Sequence, residues 1–276
     1  MILAMSNGFR LLRIEYLFSV LVPCLLSIYL NNYDVISHIW ILAGFAFYAI
    51  TGNTLNDVID MKNPDEKETL KRVQGYNRKE ILTISLASFL IGTLCFMKSI
   101  IVNPILGIYL VIIVILVIIY CLFKSLVIIN HIFLGISHIV LPWLMIKINA
   151  GDIALYFFPN LTLSELLILL SIASVGYTGQ MLHELIDGDS LSKLSPKASQ
   201  LVIWIASVIS LVITIFSLVI TQNIIFLPII FFPFGILYIF RKPRIDLLGR
   251  TSLKDVGIIL GNLILVYIII LIIAPY

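Results

Sequence analysis

The sequence is poor in charged residues and in cysteine. Asp, Glu, Lys and Arg make up 12% of its 276 residues, whereas a soluble domain typically has about a quarter. This scarcity argues against a soluble globular protein, and we expect no nucleic-acid partner. The three cysteines, Cys24, Cys95 and Cys121, lie singly inside apolar segments. Their spacing indicates neither a disulfide framework nor a cysteine metal site, and we interpret them as packing residues.

Long apolar runs dominate the sequence. Hydrophobic residues make up 61% of the chain, and its mean hydropathy is +1.11. A helix needs about 20 mostly apolar residues to cross the hydrocarbon core of a bilayer. Nine runs approach this length: residues 14–30, 37–57, 80–98, 103–123, 126–147, 163–184, 198–220, 223–240 and 254–274. The sequence therefore predicts an all-α, polytopic membrane protein, with nine transmembrane helices in a single transmembrane domain over residues 1–276.

Basic residues are distributed unevenly between the two sides of the predicted spans. If the N-terminus is cytoplasmic, 16 of the 18 Lys and Arg residues fall in cytoplasmic segments, and only Lys98 and Lys147 fall outside. Cytoplasmic loops of membrane proteins have such an excess of Lys and Arg. We therefore predict a multi-pass protein of the cell membrane with its N-terminus in the cytoplasm and its C-terminus outside.

A short internal repeat links two of the predicted spans. Residues 51–60, TGNTLNDVID, align with residues 178–187, TGQMLHELID, and five of the ten positions are identical. Three further positions exchange similar residues: Asn for Gln, Asp for Glu and Val for Leu. Both copies end a predicted helix on the same side of the membrane. The repeat therefore predicts that two similar polar segments lie at one end of the helix bundle.

Each copy places acidic and amide side chains on one helix face. Residues three and four apart lie on the same face of a helix, so Asn53, Asp57 and Asp60 form one stripe, with Asn56 beside them. Gln180, Glu184 and Asp187 form the matching stripe, flanked by His183. Carboxylates this close to a bilayer need positive compensation. Carboxylate and amide oxygens suit Mg²⁺, which shares its coordination shell with substrate phosphates.

Basic residues accompany these stripes. Tyr120 and Lys124 lie one turn apart at the end of the fourth predicted helix, Lys71 and Arg72 follow the first stripe, and Arg13 enters the first helix. Cations of this kind stabilise a departing diphosphate. We interpret the other basic residues of the last cytoplasmic loop as ordinary membrane anchors: Arg241, Lys242, Arg244 and Lys254.

Four motifs together resemble the UbiA superfamily of intramembrane prenyltransferases. They are Gly52-Asn53-x-x-Asn56-Asp57-x-x-Asp60, Lys71-Arg72-Val73-Gln74-Gly75, Tyr120-x-x-x-Lys124 and His183-Glu184-x-x-Asp187-x-Asp189. The first and last resemble the two aspartate-rich motifs of the family, the second resembles the basic stretch that follows the first motif, and the third matches a Tyr-x-x-x-Lys motif. The order of the motifs and the number of predicted helices also agree, so the resemblance covers nearly the whole chain.

The resemblance implies a helical barrel under a cytoplasmic cap, with Mg²⁺ as cofactor. It implies transfer of an isoprenoid group from a prenyl diphosphate to a hydrophobic, aromatic or lipid-like acceptor. The expected catalytic residues are Asp57, Asp60, Glu184, Asp187, Lys124 and Tyr120. The expected metal ligands are Asn53, Asn56, Asp57, Asp60, Gln180, Glu184 and Asp187, and the expected diphosphate-binding residues are Arg72, Lys71, Asn53, Asn56 and Arg13.

The chain departs from the family pattern at the outer acids. Pro64 stands where the first motif usually has a third acid, with Asp65 one position later, and Leu191 stands at the corresponding place of the second motif, with Asp189 two positions early. These changes indicate a divergent subgroup and leave the acceptor undefined. The sequence leaves open whether Asp65, Asp189, His183 and His138 take part. His138 and Asn130 lie eight residues apart in the fifth predicted helix, and Gly257-x-x-x-Gly261 is expected to be a helix-packing motif.

Two alternatives to a prenyltransferase remain open at this point. The first is a transporter of ions or small molecules, although transporters tend to bind substrates near the bilayer midplane at broken helices, whereas these acids lie at helix ends. The second is a non-catalytic member of the same family. A CDP-alcohol phosphatidyltransferase is excluded, because its Asp-Gly motif continues as Ala-Arg and here Asp187-Gly188 continues as Asp189-Ser190.

Overall fold

The computed structural model describes residues 10–62, 64, 67–123, 129–153, 157–187, 190–241 and 251–274. The predicted all-α fold is confirmed. The α-helices are α1 Phe18–Leu30, α2 Ile39–Asp60, α3 Lys67–Arg72, α4 Arg78–Val102, α5 Ile105–Leu122, α6 Ile129–Gly135, α7 Leu141–Asn149, α8 Leu163–Asp187, α9 Pro196–Thr221, α10 Phe231–Ile239 and α11 Thr251–Ile273. Short 3₁₀ helices cover Ile14–Tyr16, Ile36–His38, Ser190–Lys193 and Ile224–Ile230, and a π-helical turn covers Ile136–Val140.

The predicted apolar runs correspond closely to the observed helices. In the described part of the chain, eight helices are long and apolar enough to cross a membrane. The run at 223–240 forms a shorter apolar helix, Ile224–Ile239, whose first half is 3₁₀. Pro228 and Pro233 lack the N–H that an α-helix requires at each position, which accounts for the broken helix. A ninth span therefore stays a prediction.

The spanning helices are arranged in a closed ring. Helix α2 packs along α4, α8 packs along α9, and α5 packs against both α4 and the α6–α7 segment. Helix α6 contacts α8, and α10 contacts α9. At the end of the chain α11 packs against α1, and the Tyr267 hydroxyl of α11 donates to the Ile225 carbonyl, 2.9 Å away. This arrangement is the predicted helical barrel.

Glycines allow close approach at two of these helix contacts. A Cβ at Gly92 of α4 would lie 2.5 Å from the Tyr48 ring of α2, and a Cβ at Gly261 of α11 would lie 2.3 Å from the Phe18 ring of α1. Gly261 is therefore a packing residue, as expected. Gly257 has open space at its Cβ position, so only the second glycine of the Gly257-x-x-x-Gly261 motif permits a close contact.

The fifth span changes helical register in its middle. Residues 129–149 form one continuous helix in which the π turn Ile136–Val140 separates α6 from α7. Pro142 follows the π turn and has no N–H to donate to the carbonyl of His138, its α-helical partner. The π turn accommodates this missing hydrogen bond. Such turns occur frequently at functional sites.

Charged residues close the end of the bundle where α1 ends and α8 begins, which we call the far end. Lys147 is 1% exposed, and its ammonium donates to Glu165 Oε1 at 2.7 Å and to Asn31 Oδ1 at 3.1 Å. Asp152 Oδ2 lies 2.9 Å from the same nitrogen, so all three ammonium protons have partners. This network of hydrogen bonds and ion pairs connects α1, α7 and α8 at the far end.

The opposite end, where α2 and α8 end, holds the two copies of the repeat, and we call it the motif end. Helix α3 lies at this end, between α2 and α4 in the chain. A capping box starts α4: the Glu80 amide donates to Asn77 Oδ1 at 3.0 Å, and the Asn77 amide donates to Glu80 Oε2 at 2.9 Å. Gly75 precedes it with a φ of 91°, a conformation that favours glycine.

Candidate active site at the motif end

Asp57, the first acid of the first copy, is enclosed by two arginines. Its side chain has no exposed surface. Arg72 at the end of α3 donates from Nε to Oδ2 at 3.1 Å and from Nη2 to Oδ1 at 2.7 Å, a bidentate pair. Arg13 Nη1 lies 3.9 Å from the same Oδ1. Asp57 therefore fixes both cations at the motif end, beside the other acids of its stripe.

The pairing with Asp57 is part of a longer chain of charges across the cap. Arg72 Nη1 lies 3.6 Å from Glu68 Oε1, and Lys254 of α11 donates to Glu68 Oε2 at 3.0 Å. Burial by itself lowers the pKa of Arg72. The hydrogen bond to Asp57 and the negative charge of Asp57 together outweigh this effect, so the pKa of Arg72 is raised above its ordinary value. Lys254 is buried, so it links α11 to α3 and is more than the membrane anchor that its position suggested.

Arg13 connects the first copy of the repeat to the second. It adopts a left-handed conformation with a φ of 50°, which is uncommon outside glycine and is found most often where the surroundings enforce it. Its guanidinium lies 4.4 Å from the centre of the Tyr16 ring. The Tyr16 ring lies 6.1 Å from the ring of His183 on α8. The two motif helices are thus brought together through Arg13 and Tyr16.

Asn56 and Asp60 form a second polar pair on α2. The Asn56 side-chain amide donates to Asp60 Oδ2 at 2.7 Å, so the amide oxygen faces away from this bond. That oxygen is buried and has no hydrogen-bond partner among the described residues. An unpaired buried amide oxygen beside a carboxylate provides two hard oxygen ligands, which is the type that Mg²⁺ prefers.

Glu184 of the second copy is held by groups from two other segments. It is buried, and its Oε2 makes a short contact with His131 Nε2 of α6. Its Oε1 accepts a hydrogen bond of 3.1 Å from the Leu191 amide. These contacts fix the carboxylate at the end of α8, at the point where the chain turns toward α9. The side chain of Asp187 lies outside the described part of the structure.

The remaining predicted residues occupy different positions at the same end. Asn53 and Gln180 are half-buried on α2 and α8, Tyr120 is half-buried in the last turn of α5, and Lys71 is exposed at the end of α3. Lys124, Asp65 and Asp189 lie outside the described residues. Their predicted roles therefore stay predictions.

Unpaired polar atoms are concentrated at the motif end. The described residues contain six buried side-chain nitrogen or oxygen atoms without a hydrogen-bond partner. Four of the six belong to motif-end residues: Arg13 Nε, Asn56 Oδ1, Asn130 Oδ1 and His131 Nδ1. Buried polar groups are normally paired, because an unpaired one costs about 1–3 kcal/mol. The other two, Trp143 Nε1 and Ser217 Oγ, lie in the halves of their helical spans nearer the far end, so the unpaired polar atoms of the described residues are concentrated at the motif end, as expected of a region that binds a polar ligand.

The acids alone do not form a complete metal centre. Within the ranges that the structure describes, no group of three or more His, Cys, Asp or Glu side chains is placed to hold a metal ion. Two further oxygen ligands are not covered by that statement. The side chain of Asp187 lies outside those ranges, and the unpaired oxygen of Asn56 belongs to an amide. The residues present therefore fit a cation that also draws ligands from amides and from a bound phosphate.

An apolar cavity adjoins this site inside the bundle. It has a volume of about 290 Å³ and lies among α1, α2, α4, α5 and the π turn. Its polar lining residues are Tyr48, Thr51, Ser85, Ser137 and His138. Gly52 and Leu55 of the first repeat copy also line it, so the cavity reaches the helix segment that bears the acids.

Sequence reasoning missed two contributors to the site. Tyr16 stacks under Arg13, and His131 contacts Glu184, which is 53 residues away in the chain. Neither residue belongs to a recognisable spacing, because each meets its partner only through the packing of separate helices. The one available signal for His131 was its position, close to the motif end of the fifth predicted span.

The fold resembles that of known membrane proteins. No protein-family model and no curated protein matches the sequence. A UbiA homolog from Archaeoglobus fulgidus bound to GPP and Mg²⁺ is 14% identical, with a TM-score of 0.69 over 96% of this chain and 99% of that one. The same homolog bound to DMAPP and Mg²⁺ gives a TM-score of 0.68. A digeranylgeranylglyceryl phosphate synthase structure is 14% identical, with a TM-score of 0.61 over 96% of this chain and 97% of that one.

These similarities extend over nearly the whole length of both partners. At 13–14% identity they show the architecture alone. The resemblance that the motifs indicated is thereby confirmed for the fold. The chain has the all-helical membrane fold of the UbiA homologs.

Proposed function

We propose that this protein is an intramembrane prenyltransferase that uses Mg²⁺ and a prenyl diphosphate. The observation that supports it most directly is the set of unpaired buried polar atoms around Arg13, Asn56 and His131 at the motif end. A ligand with both negative charge and metal ions would pair donors and acceptors alike. The structures that share this fold contain GPP or DMAPP together with Mg²⁺, which is a ligand of that description.

The oxygen-rich residues of the two copies are the proposed metal ligands. Asn56 and Asp60 lie side by side, and Asn56 retains a free oxygen. Glu184 provides a buried carboxylate from the second copy. We include the other motif residues in the proposed ligand set: Asn53, Asp57, Gln180 and Asp187. When bound, Mg²⁺ neutralises diphosphate charge and so weakens the bond to the allylic carbon.

Asp57 has a second role in this proposal. Because it has no exposed surface and is paired with Arg72, a metal contact requires Arg72 or Arg13 to move toward the substrate. Once an arginine has moved, the lone pairs that it occupied on the Asp57 oxygens become available to a metal ion. In the absence of substrate, Asp57 holds both arginines ready at the position where the diphosphate arrives.

The basic residues stabilise the leaving group. Arg72 and Arg13 are fixed at the site, and Lys71 lies at the cap. Tyr120 lies in the last turn of α5, and we assign Lys124, four residues later in the sequence, to the same leaving group. When the allylic C–O bond breaks, the diphosphate leaves with the electron pair, and its charge increases on the bridging oxygen. Fixed cations at that position stabilise the transition state more than the ground state.

The acceptor is expected to be hydrophobic or aromatic. It must reach an allylic cation that forms next to the acids, and the apolar cavity beside Gly52 and Leu55 opens this position to a water-insoluble molecule. A cavity with few polar groups also excludes water, which would otherwise capture the cation and form an alcohol.

An assay with purified protein tests the proposal. The protein is incubated with Mg²⁺, labelled prenyl diphosphates of several chain lengths and a lipid extract of its host, and product masses identify both substrates. We expect Asp60→Asn and Glu184→Gln to abolish product formation. Asp34→Asn serves as the matched control, because Asp34 is an exposed acid at the far end and its loss should leave turnover unchanged. Ion flux in proteoliposomes with no transfer product would instead show a transporter.

A further inference from the structure

The histidine that lines the apolar cavity, His138, has a ring nitrogen without a hydrogen-bond partner among the described residues. The Ser137 hydroxyl donates to the Leu134 carbonyl at 3.1 Å, and its oxygen lies 2.9 Å from His138 Nδ1. A ring N–H of His138 also bonds to the Leu134 carbonyl, and we assign the imidazole proton to Nδ1, which then donates to the serine and Leu134 oxygens. A neutral imidazole with its proton on Nδ1 has a lone pair on Nε2. Among the described residues, His138 Nε2 takes part in no hydrogen bond.

The other polar groups of the cavity are already paired. The Tyr48 hydroxyl lies 2.9 Å from Thr93 Oγ1. The Thr51 hydroxyl donates to the Phe47 carbonyl at 2.9 Å, and the Ser85 hydroxyl donates to the Thr51 carbonyl at 3.3 Å. Their oxygens can still accept a hydrogen bond, but among the described residues of this cavity His138 is the side chain that can also accept a proton at neutral pH.

The cavity is continuous with the acid stripe of α2. Phe45, Ala49 and Gly52 line the cavity, and the steps of four and three residues between them place them on one helix face. The same steps lead on to Asn56 and Asp60. A molecule that fills the cavity thus has one end directly beside the proposed metal–diphosphate site.

His138 is directed toward that same end. Its helix starts at the motif end, where His131 contacts Glu184. Side chains of an α-helix tilt toward the helix N-terminus, so the imidazole inclines from its Cα toward the acids. Gly52 and Leu55 also line the cavity, and they immediately precede the Asn56–Asp60 pair.

The entrance of the cavity faces the surroundings of the helix bundle. Leu82 and Leu86 of α4 and Ile118 of α5 line the cavity and are also exposed. Because both helices have the length and hydropathy of membrane spans, these exposed side chains face lipid. The route into the cavity is therefore open to a molecule dissolved in the bilayer, between α4 and α5.

We propose that this cavity binds the acceptor, that the acceptor is a membrane-dissolved molecule with a hydroxyl group, and that His138 Nε2 accepts the hydroxyl proton. The inference rests on the proposed prenyltransferase function. The prenyl chain of the donor is a poorer occupant, since it has no hydrogen-bond donor for Nε2. An acceptor hydroxyl supplies that donor, and its apolar body matches the remaining walls.

The resulting reaction balances. The allylic C–O bond of the diphosphate breaks, and the diphosphate leaves with both electrons. The acceptor oxygen forms a new C–O bond to the allylic carbon with one of its lone pairs. The O–H bond then breaks, its electrons remain on oxygen, and the proton moves to His138 Nε2. The products are a prenyl ether, diphosphate and a protonated imidazole that later loses its proton to water.

A binding experiment tests hydroxyl recognition without any turnover. The full-length protein in lipid nanodiscs is photolabelled with a photoactivatable long-chain alcohol and with its methyl ether, which cannot donate a hydrogen bond. We expect the wild type to favour the alcohol by about three- to tenfold, the range of one ordinary hydrogen bond. His138→Leu should remove the preference. Thr83→Ala, which removes an exposed hydroxyl of α4 outside the cavity, should retain it.

A kinetic experiment then tests the role of His138 as base. His138→Gln keeps an oxygen that accepts a hydrogen bond, so it should retain the alcohol preference but lose transfer by about 10²-fold or more, the usual share of a general base. Diphosphate release from a prenyl diphosphate in the absence of acceptor should stay at the wild-type rate, because that step does not use His138.

The outcomes separate the two hypotheses. Equal labelling by alcohol and ether in the wild type, or full transfer activity in His138→Gln and His138→Leu, overturns the acceptor assignment. A wild-type protein that favours the alcohol but releases no diphosphate with Mg²⁺ overturns the prenyltransferase proposal and leaves the hydroxyl site standing.

Discussion

Asp57 is the buried acid of the motif end that two arginines surround. Its position on the stripe with Asn53 and Asp60 follows from helical spacing and is visible in the sequence. Its bidentate pair with Arg72 and its contact with Arg13 are not, because each partner belongs to a different segment. The sequence therefore located the polar residues at one end of the bundle but did not reveal which of them neutralise one another.

The Asp57–Arg72 pair makes the cap sensitive to loss of either partner. Arg72→Gln leaves a fully buried carboxylate without its main counter-charge, and removing one member of a buried pair typically costs about 3–5 kcal/mol. Unfolding of detergent-solubilised protein, followed by temperature or denaturant, should show this loss. The double variant Asp57→Asn with Arg72→Gln should be more stable than Arg72→Gln alone. The exposed neighbour Lys71→Gln is the control, and strictly additive effects would argue against the pair.

Lys124 is expected to act on the leaving diphosphate. Lys124→Met keeps the apolar stem and removes the charge, so insertion and folding should be normal, while turnover should fall by about 10² to 10³. The change in prenyl diphosphate binding should be smaller, because the charge on the leaving group grows during bond breaking. Near-normal turnover with every prenyl diphosphate that the wild type accepts would show that Lys124 is only a membrane anchor.

At the scale of helices, hydrophobic length was a sufficient guide to most of the fold. The run predicted at 37–57 corresponds to the helical span Ile36–Asp60, and the run predicted at 163–184 corresponds to the span Leu163–Ile186. Helix α3 escaped detection because five of its six residues are polar and its single apolar residue, Leu70, cannot form an apolar period. The π turn at Ile136–Val140 also escaped detection, since a shift in hydrogen-bond register leaves composition unchanged. Both features belong to the site, so the less predictable elements are the functional ones.

The contact between α1 and α11 depends on one small residue. Gly261→Leu should push the Phe18 ring away, because even a Cβ would lie 2.3 Å from it, and overpacking of this kind typically costs about 1–3 kcal/mol. Gly257→Leu is the matched control, since it lies one turn away in the same helix with open space. Thermal unfolding in detergent should distinguish the two variants. Equal stability would mean that α11 does not pack closely against α1 at this point.

At the scale of the whole molecule, the two ends of the bundle differ in chemistry. The far end is closed by Lys147 with paired partners, and the motif end contains most of the unpaired buried polar atoms of the described residues. The positive-inside distribution predicts that the motif end faces the cytoplasm, where a water-soluble diphosphate donor would be supplied. A single polar end open to one compartment suits an enzyme that joins a soluble donor to a membrane acceptor.

The orientation has a direct test. Single cysteines at Lys79 and Lys193, both exposed at the motif end, should resist a membrane-impermeant thiol reagent applied outside intact cells. A cysteine at Asp34, exposed at the far end, should react. The native cysteines are buried, and the parent protein serves as the background control. The reverse pattern would place the motif end outside and remove the cytoplasmic donor from the account.

The central claim is that the two repeat copies form one metal–diphosphate site. The most direct measurement is calorimetric binding of a prenyl thiodiphosphate, an analogue in which sulfur replaces the scissile oxygen, to the purified protein with and without Mg²⁺. The account predicts saturable binding that requires Mg²⁺ and is lost in Asp60→Asn, from the first copy, and equally in Glu184→Gln, from the second. Binding that persists without Mg²⁺, or that depends on one copy alone, would contradict it.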